Sequence, residues 1–175
     1  MKVQFLPHYA GPRTFEPAHE GDAGIDLYAA EDHVLYPGER HLIRCGIRVA
    51  LPLGTEGQVR PKSGLAWNFG LSIVNSPGTI DEGYRGEIQV IAHNTNPLLT
   101  QQNLWHIVAG SDSPVAPDPY LTVSTDIKNR TIFIKKGTKI AQLVIAKYER
   151  PAVEIVTDLD DETSRGAGGF GSTGT

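Results

Sequence analysis

A single cysteine, Cys45, is the only thiol in this 175-residue chain. That excludes an intrachain disulfide and a thiolate metal centre. Cys45 sits in an alternating apolar run, so it reads as a buried structural thiol. No apolar run reaches the roughly 18 residues of a membrane-spanning helix. The opening MKVQFLPHYAGPRTFEP also lacks the apolar stretch and cleavage site of a secretory leader. A soluble, cytoplasmic protein is therefore expected. Lys and Arg form no block and the formal charge is −4, which argues against general nucleic-acid binding, where many cations must face phosphates. The six histidines are scattered without a H-E-x-x-H spacing, and neither a P-loop nor a G-x-G-x-x-G fingerprint follows a strand pattern. These exclusions leave room for a small phosphate ligand met by a few local cations and a metal ion; any such metal should be a hard one held by oxygen and phosphate, hence Mg2+.

Glycine and proline, by contrast, are abundant, with 19 and 12 residues. They cut the chain into short apolar runs, through turn signals such as YPGE, LPLG, SPGT and KKGT. Over 41–51, Ile43, Cys45, Ile47, Val49 and Leu51 share one parity and Arg44 and Arg48 the other, the period-two pattern of a half-buried strand. Ile88, Val90 and Ala92 alternate in the same way over 86–93. Further strands are expected at 2–6, 33–36, 56–60, 71–75, 131–134, 139–148 and 152–156. SGLAWNF (63–69) suits one or two helical turns, and 98–108 is ambiguous. Many short strands with Gly/Pro turns imply an all-β protein, a barrel or sandwich of the jelly-roll kind.

Four stretches carry candidate chemistry. In PKSGLA (61–66), Lys62, the Ser63 hydroxyl and the Gly64 backbone suit a polyphosphate, although such a stretch also makes an ordinary surface turn. VNSPGTIDEGYRGEIQV (74–90) reads as strand, turn, strand, with Asp81 in the turn. An exposed aspartate is a weak base at neutral pH and needs a positioned water and an activated electrophile. In DAGIDLYA (22–29), Asp22 and Asp26 either face a divalent cation or cap turns. The Gly-rich tail 163–175 is a flexible terminus or a mobile phosphate-and-base lid: Arg165 pairs with phosphate, Phe170 offers a flat face, Ser172 and Thr173 donate hydroxyls, and the glycines bring N–H groups close.

Together these segments resemble the trimeric dUTPase family. DAGIDLYA (22–29), PKSGLA (61–66), VNSPGTIDEGYRGEI (74–88), GTKIAQLVI (137–145) and RGAGGFGSTG (165–174) are similar to its five motifs, in order and over nearly the whole chain. Segment 71–90 is similar to actinobacterial members in particular. The resemblance implies a jelly-roll-like β-barrel over 1–162, interrupted by a long insertion at about 96–130, and a mobile arm over 163–175. It also implies a homotrimer with active sites between subunits and hydrolysis of dUTP to dUMP and pyrophosphate with Mg2+. By the same carry-over, Asp81 activates the attacking water and Tyr84 packs under the deoxyribose. Asn75, Gly78, Thr79, Ile80 and Gln89 read uracil. Lys62, Ser63, Gly64 and Gln142 hold phosphates, and Asp26 reaches the metal through water. Arg165, Phe170, Gly171 and Ser172 belong to the arm that closes the site.

Two features depart from the family. Its second motif usually has arginine where Lys62 stands, and lysine keeps the charge but loses the bidentate fork. The 96–130 segment, with four prolines, replaces a turn or a few residues. Some phage-encoded members hold extra segments near this point, which would place the protein in a host cytoplasm. Trp105, Ile107, Val108 and Tyr120 would anchor a protein partner there or pack the segment onto its own barrel. The related dCTP deaminases share the fold but use a glutamate in a differently arranged central motif.

Overall fold

The computed structural model describes residues 1–97, 130–159 and 163, and residues 121–123 as backbone. The ambiguous 98–108 stretch, most of the 96–130 insertion, and Arg165, Phe170, Gly171 and Ser172 of the arm lie outside the described residues.

The fold is all-β apart from one helix. In chain order the elements are β1 (Lys2–Phe5), β2 (Gly24–Tyr28), β3 (His33–Leu35), β4 (Arg40–Arg44), β5 (Ile47–Ala50), β6 (Thr55–Pro61), α1 (Ser63–Phe69), β7 (Leu71–Ile73), β8 (Gly78–Ile80), β9 (Gln89–Asn94), β10 (Leu121–Val123), β11 (Ile132–Ile134) and β12 (Lys139–Lys147). They form antiparallel sheets ordered β1-β5, β10-β11-β3, β2-β12-β6-β8 and β4-β9-β7. Their inward faces meet in one core that includes Leu27, Leu35, Ile43, Ile47, Ile88, Ile132 and Leu143. Long-range antiparallel pairing of short strands gives a jelly-roll-like arrangement. No helix among the described residues is long and apolar enough to cross a membrane.

Strand parity holds in the runs read from the sequence. Ile43, Cys45, Ile47, Val49 and Leu51 are all buried, as are Ile88, Val90 and Ala92. Burial pushes the Cys45 thiol up, out of the range in which it ionises. The 41–51 run, however, is two strands and not one. Gly46 takes a left-handed φ of 68° and its carbonyl accepts Leu6 N–H, so the chain leaves the β4 sheet and enters the β5 sheet. Three further expectations change. The motif at 22–29 contains a strand, β2, and the expected turn SPGTIDEGYRG at 76–86 contains β8. Residues 152–156 form no strand: 151–159 are exposed, with Val153 at 85% and Ile155 at 96%. Alternation there has no partner strand within the described chain to satisfy it.

Asn94 closes one end of the core. Its buried amide donates to the Leu35 and Arg130 carbonyls at 3.0 and 2.9 Å and accepts from Asn96, so burial leaves no polar atom of it unpaired. The centre of the largest sheet is β12, whose Leu143 is fully buried. Leu143→Ala is expected to cost about 3 kcal/mol, read as a lower denaturation midpoint at unchanged m-value.

Candidate functional site

A pocket of about 380 Å3 lies on the outward face of β2, β12 and β6, lined by Asp22, Asp26, Arg60, Lys62, Lys139 and Gln142 among others. Register explains the gathering. Gln142 of β12 lies opposite Asp26 of β2 and Arg60 of β6. On simple alternation Lys139 would share the inward face of Ala141 and Leu143. A bulge prevents that: Lys139 pairs with Tyr28 and Ala141 with Leu27, leaving Ile140 as an extra residue. The extra residue reverses the parity and brings Lys139 to the outer face.

Lys62 and Lys139 then share one carboxylate. Lys62 Nζ lies 2.6 Å from Asp26 Oδ1, and Lys139 Nζ lies 2.8 Å from Oδ2. Partial burial opposes the Asp26 charge, but the hydrogen bonds from Lys139 and Lys62 outweigh it and hold the carboxyl below its ordinary value. Gln142 donates to the Pro61 carbonyl at 2.9 Å, fixing its amide at the pocket wall. Ser63 and Gly64 follow Lys62 directly, in the exposed first turn of α1.

The hairpin is a second, separate site element. After a cis Ser76–Pro77 bond, β8 pairs among the described residues only with β6 and is the last strand of its sheet there. Its outer edge therefore leaves backbone groups unpaired by any described strand. The adjacent carboxylates divide their tasks. Glu82 accepts from Gly54 N–H at 2.7 Å and Tyr148 OH at 3.2 Å, which ties the hairpin to the sheet. Asp81 is exposed, and its carbonyl accepts Tyr84 N–H in the turn. Tyr84, 43% exposed, donates its hydroxyl to the Glu87 carbonyl at 3.0 Å. Its ring lies over Gly86 so closely that any side chain there would collide with it. Glu87 in turn takes His8 Nε2 at 2.7 Å, Arg44 Nε at 2.9 Å and Gly46 N–H at 2.9 Å. Burial disfavours the Glu87 charge, yet these bonds prevail and lower its pKa. Asn75 flanks Gly78, and Gln89 begins β9 opposite Arg44.

The structure thus brings together Asp26, Lys62 and Gln142, with Ser63 and Gly64 alongside. It groups Asn75, Gly78, Thr79, Ile80, Asp81 and Tyr84 elsewhere. Ile80 pairs with Gly57, which sets Asp81 abreast of Glu56, while Lys62 lies beyond the other end of β6. At about 3.3 Å per residue Asp81 and Lys62 stand about 20 Å apart along that strand, while Gly78 at the other end of β8 pairs with Val59, next to Arg60 of the pocket. Three functional residues escaped sequence reasoning: Lys139, whose parity pointed inward, Arg60, and the tethering Glu82. The GTKIAQLVI motif contained the signal for Lys139, a lysine just after a Gly-Thr turn. No local signal separated Glu82 from Asp81.

A family model described as dUTPase matches residues 13–98 and 115–174. A Clostridium kluyveri protein named deoxyuridine 5'-triphosphate nucleotidohydrolase is 45% identical over 174 residues, 99% of this chain and 93% of its own. Among solved structures, the Staphylococcus bacteriophage 80alpha dUTPase with dUpNHpp superposes with a TM-score of 0.75 at 27% identity, covering 99% of this chain and 98% of that one. A mutant dUTPase from phage phi11 of S. aureus, solved with a structural Mg(II) ion, gives a TM-score of 0.66 at 26% identity over 90% of this chain and 96% of that one.

The depressed Asp26 pKa has a consequence for stability. A carboxyl lowered on folding stabilises above its unfolded value of about 3.9, and that contribution is lost as pH falls through the folded value. Asp26→Asn should therefore flatten the decline in Tm between about pH 5 and 2, measured by thermal denaturation across pH. A wild-type slope in the variant would show that Asp26 does not contribute to it.

Proposed function

This chain belongs to the dUTPase family, and from that premise we propose that it hydrolyses dUTP to dUMP and pyrophosphate, limiting uracil in DNA and supplying dUMP for dTTP synthesis. The observation that carries the reading is the pocket where Lys62 and Lys139 converge on Asp26 beside Gln142. Clustered ammonium groups and amide donors on a rigid sheet suit a triphosphate. Ser63 and Gly64, in the following turn, add hydroxyl and backbone donors.

Asp81 positions a water and accepts its proton. The water oxygen bonds to the α-phosphorus in line, and the bond from that phosphorus to the bridging β-oxygen breaks, the oxygen leaving with the electron pair as pyrophosphate. The free edge of β8, at Gly78, Thr79 and Ile80 with Asn75 and Gln89 nearby, supplies backbone partners for uracil. Such a site penalises a wrong base edge heavily. Tyr84, braced on Glu87 and Gly86, packs under the deoxyribose and leaves no room for a 2′-hydroxyl. Arg165, Phe170, Gly171 and Ser172 close the site over the γ-phosphate and the base.

The donor set suits Mg2+. Among the described residues no three His, Cys, Asp or Glu side chains gather into a cage. Asp26, with a lysine on each oxygen, still has lone pairs for a metal-bound water. Magnesium keeps waters and binds chiefly through substrate phosphates; when present it would neutralise phosphate charge.

A homotrimer with shared sites accounts for the separation of the two groups. Asp81 and Lys62 lie about 20 Å apart along β6 on one chain, and a second copy would bring one to the other. The exposed alternation of Val153 and Ile155 supports association, since apolar strand patterns call for a partner. The 1–162 domain and 163–175 arm follow the same scheme, and the 96–130 insertion is a candidate surface for a protein partner.

Pyrophosphate release should be Mg2+-dependent and confined to dUTP in a panel with dTTP, dCTP and UTP; comparable turnover of dCTP or UTP would overturn the substrate assignment. Asp81→Asn should lower kcat by at least about 100-fold with nucleotide affinity nearly unchanged. For the shared site, Asp81→Asn and Lys62→Ala chains, each nearly inactive alone, should regain activity when refolded together. No recovery in confirmed mixed oligomers would place each site within one chain.

A further inference from the structure

We propose that Arg60 is the bidentate phosphate grip of this pocket, holding the two phosphates that leave as pyrophosphate; the assignment rests on the dUTP hydrolase reading. Charge and geometry both lead to it. Lys62 and Lys139 are committed to Asp26, and Asp22 lines the same pocket. The two lysines are therefore balanced by two carboxylates, and Arg60 is the surplus positive charge. None of the ion pairs among the described residues includes Arg60.

Arg60 is nonetheless held in place. Its Nε donates to Gln58 Oε1 at 3.0 Å, and Nη2 donates to the same oxygen. Gln58 in turn donates its Nε2 to Glu56 Oε1 at 2.7 Å. Glu56, Gln58 and Arg60 are alternate residues of β6 and share its outward face. This ladder secures one edge of the guanidinium through a neutral acceptor, so its charge is not cancelled. Of the five N–H groups of an arginine, three remain for a ligand, two of them on Nη1.

Position completes the case. Arg60, Gln142 and Asp26 stand in one row across three strands, so a polyphosphate laid along that row meets a fork, an amide and a lysine-neutralised carboxylate in turn. An ammonium already donating to a carboxylate offers a phosphate only a point charge, whereas a guanidinium edge matches two phosphate oxygens at once. Arg60 is thus expected to separate the triphosphate from the monophosphate product.

The test compares Arg60→Met and Arg60→Lys in the full-length protein by calorimetric titration with dUpNHpp and with dUMP. Arg60→Met should weaken dUpNHpp by about 10-fold and leave dUMP within about twofold, with Arg60→Lys recovering part of the loss. A merely structural role would weaken both ligands alike, and that result, or unchanged dUpNHpp affinity in Arg60→Met, overturns the proposal. Lys139→Met separates this failure from failure of the wider reading. If it weakens dUpNHpp while Arg60→Met does not, only Arg60 is misassigned; if neither variant does, the pocket is not the phosphate site.

Discussion

The bulge at Ile140 is the constraint on which the phosphate pocket depends. β12 runs between β2 and β6 for nine residues and fixes both neighbours by its hydrogen-bond ladder. One extra residue lets it bury Ile140, Ala141 and Leu143 while turning both Lys139 and Gln142 outward. With strict alternation, either Lys139 would be buried unpaired or Gln142 would be lost to the core. Burying an ammonium without a partner is among the costliest errors a fold can make. The bulge removes that conflict and delivers the lysine to Asp26.

Carboxylates of similar sequence context serve different ends, and their partners decide which. Asp26 is held charged by two lysines, and Glu87 by His8, Arg44 and a backbone N–H. Glu82 is anchored to Gly54 and Tyr148. These three stabilise and position. Asp81, beside Glu82 in the chain, is exposed at the turn. Its side chain stays accessible while the Glu82 tether and the Tyr84–Glu87 bond hold the backbone that follows it.

The length of β6 shapes the functional argument as much as any side chain. This seven-residue strand separates Asp81, abreast of Glu56, from Lys62 beyond its other end. A strand cannot fold back to close that distance, so within one chain Asp81 and Lys62 stay apart. The exposed 151–159 segment fits that view, since its apolar alternation finds no strand within the described chain.

Much of this was legible in the residues themselves. Period-two alternation placed Ile43, Cys45, Ile47, Val49 and Leu51 on the buried side, because side-chain direction in a strand is a local property. Family motifs marked Asp26, Lys62, Asp81 and Gln142, and SGLAWNF was read correctly as a short helix. Other features depended on distant partners. The break at Gly46 requires the N-terminal strand, the missing strand at 152–156 reflects the absence of a neighbour, and the outward turn of Lys139 exists only because β12 slips one residue against β2. The sequence by itself determined which faces are apolar and which segments match the family's motifs, since both are written in neighbouring residues. Only the tertiary structure decided which carboxylate is tethered and which is open, which cations share Asp26, and how far apart the two halves of the site stand. Those outcomes are set by pairings between residues far apart in the chain, and local periodicity carries no information about them.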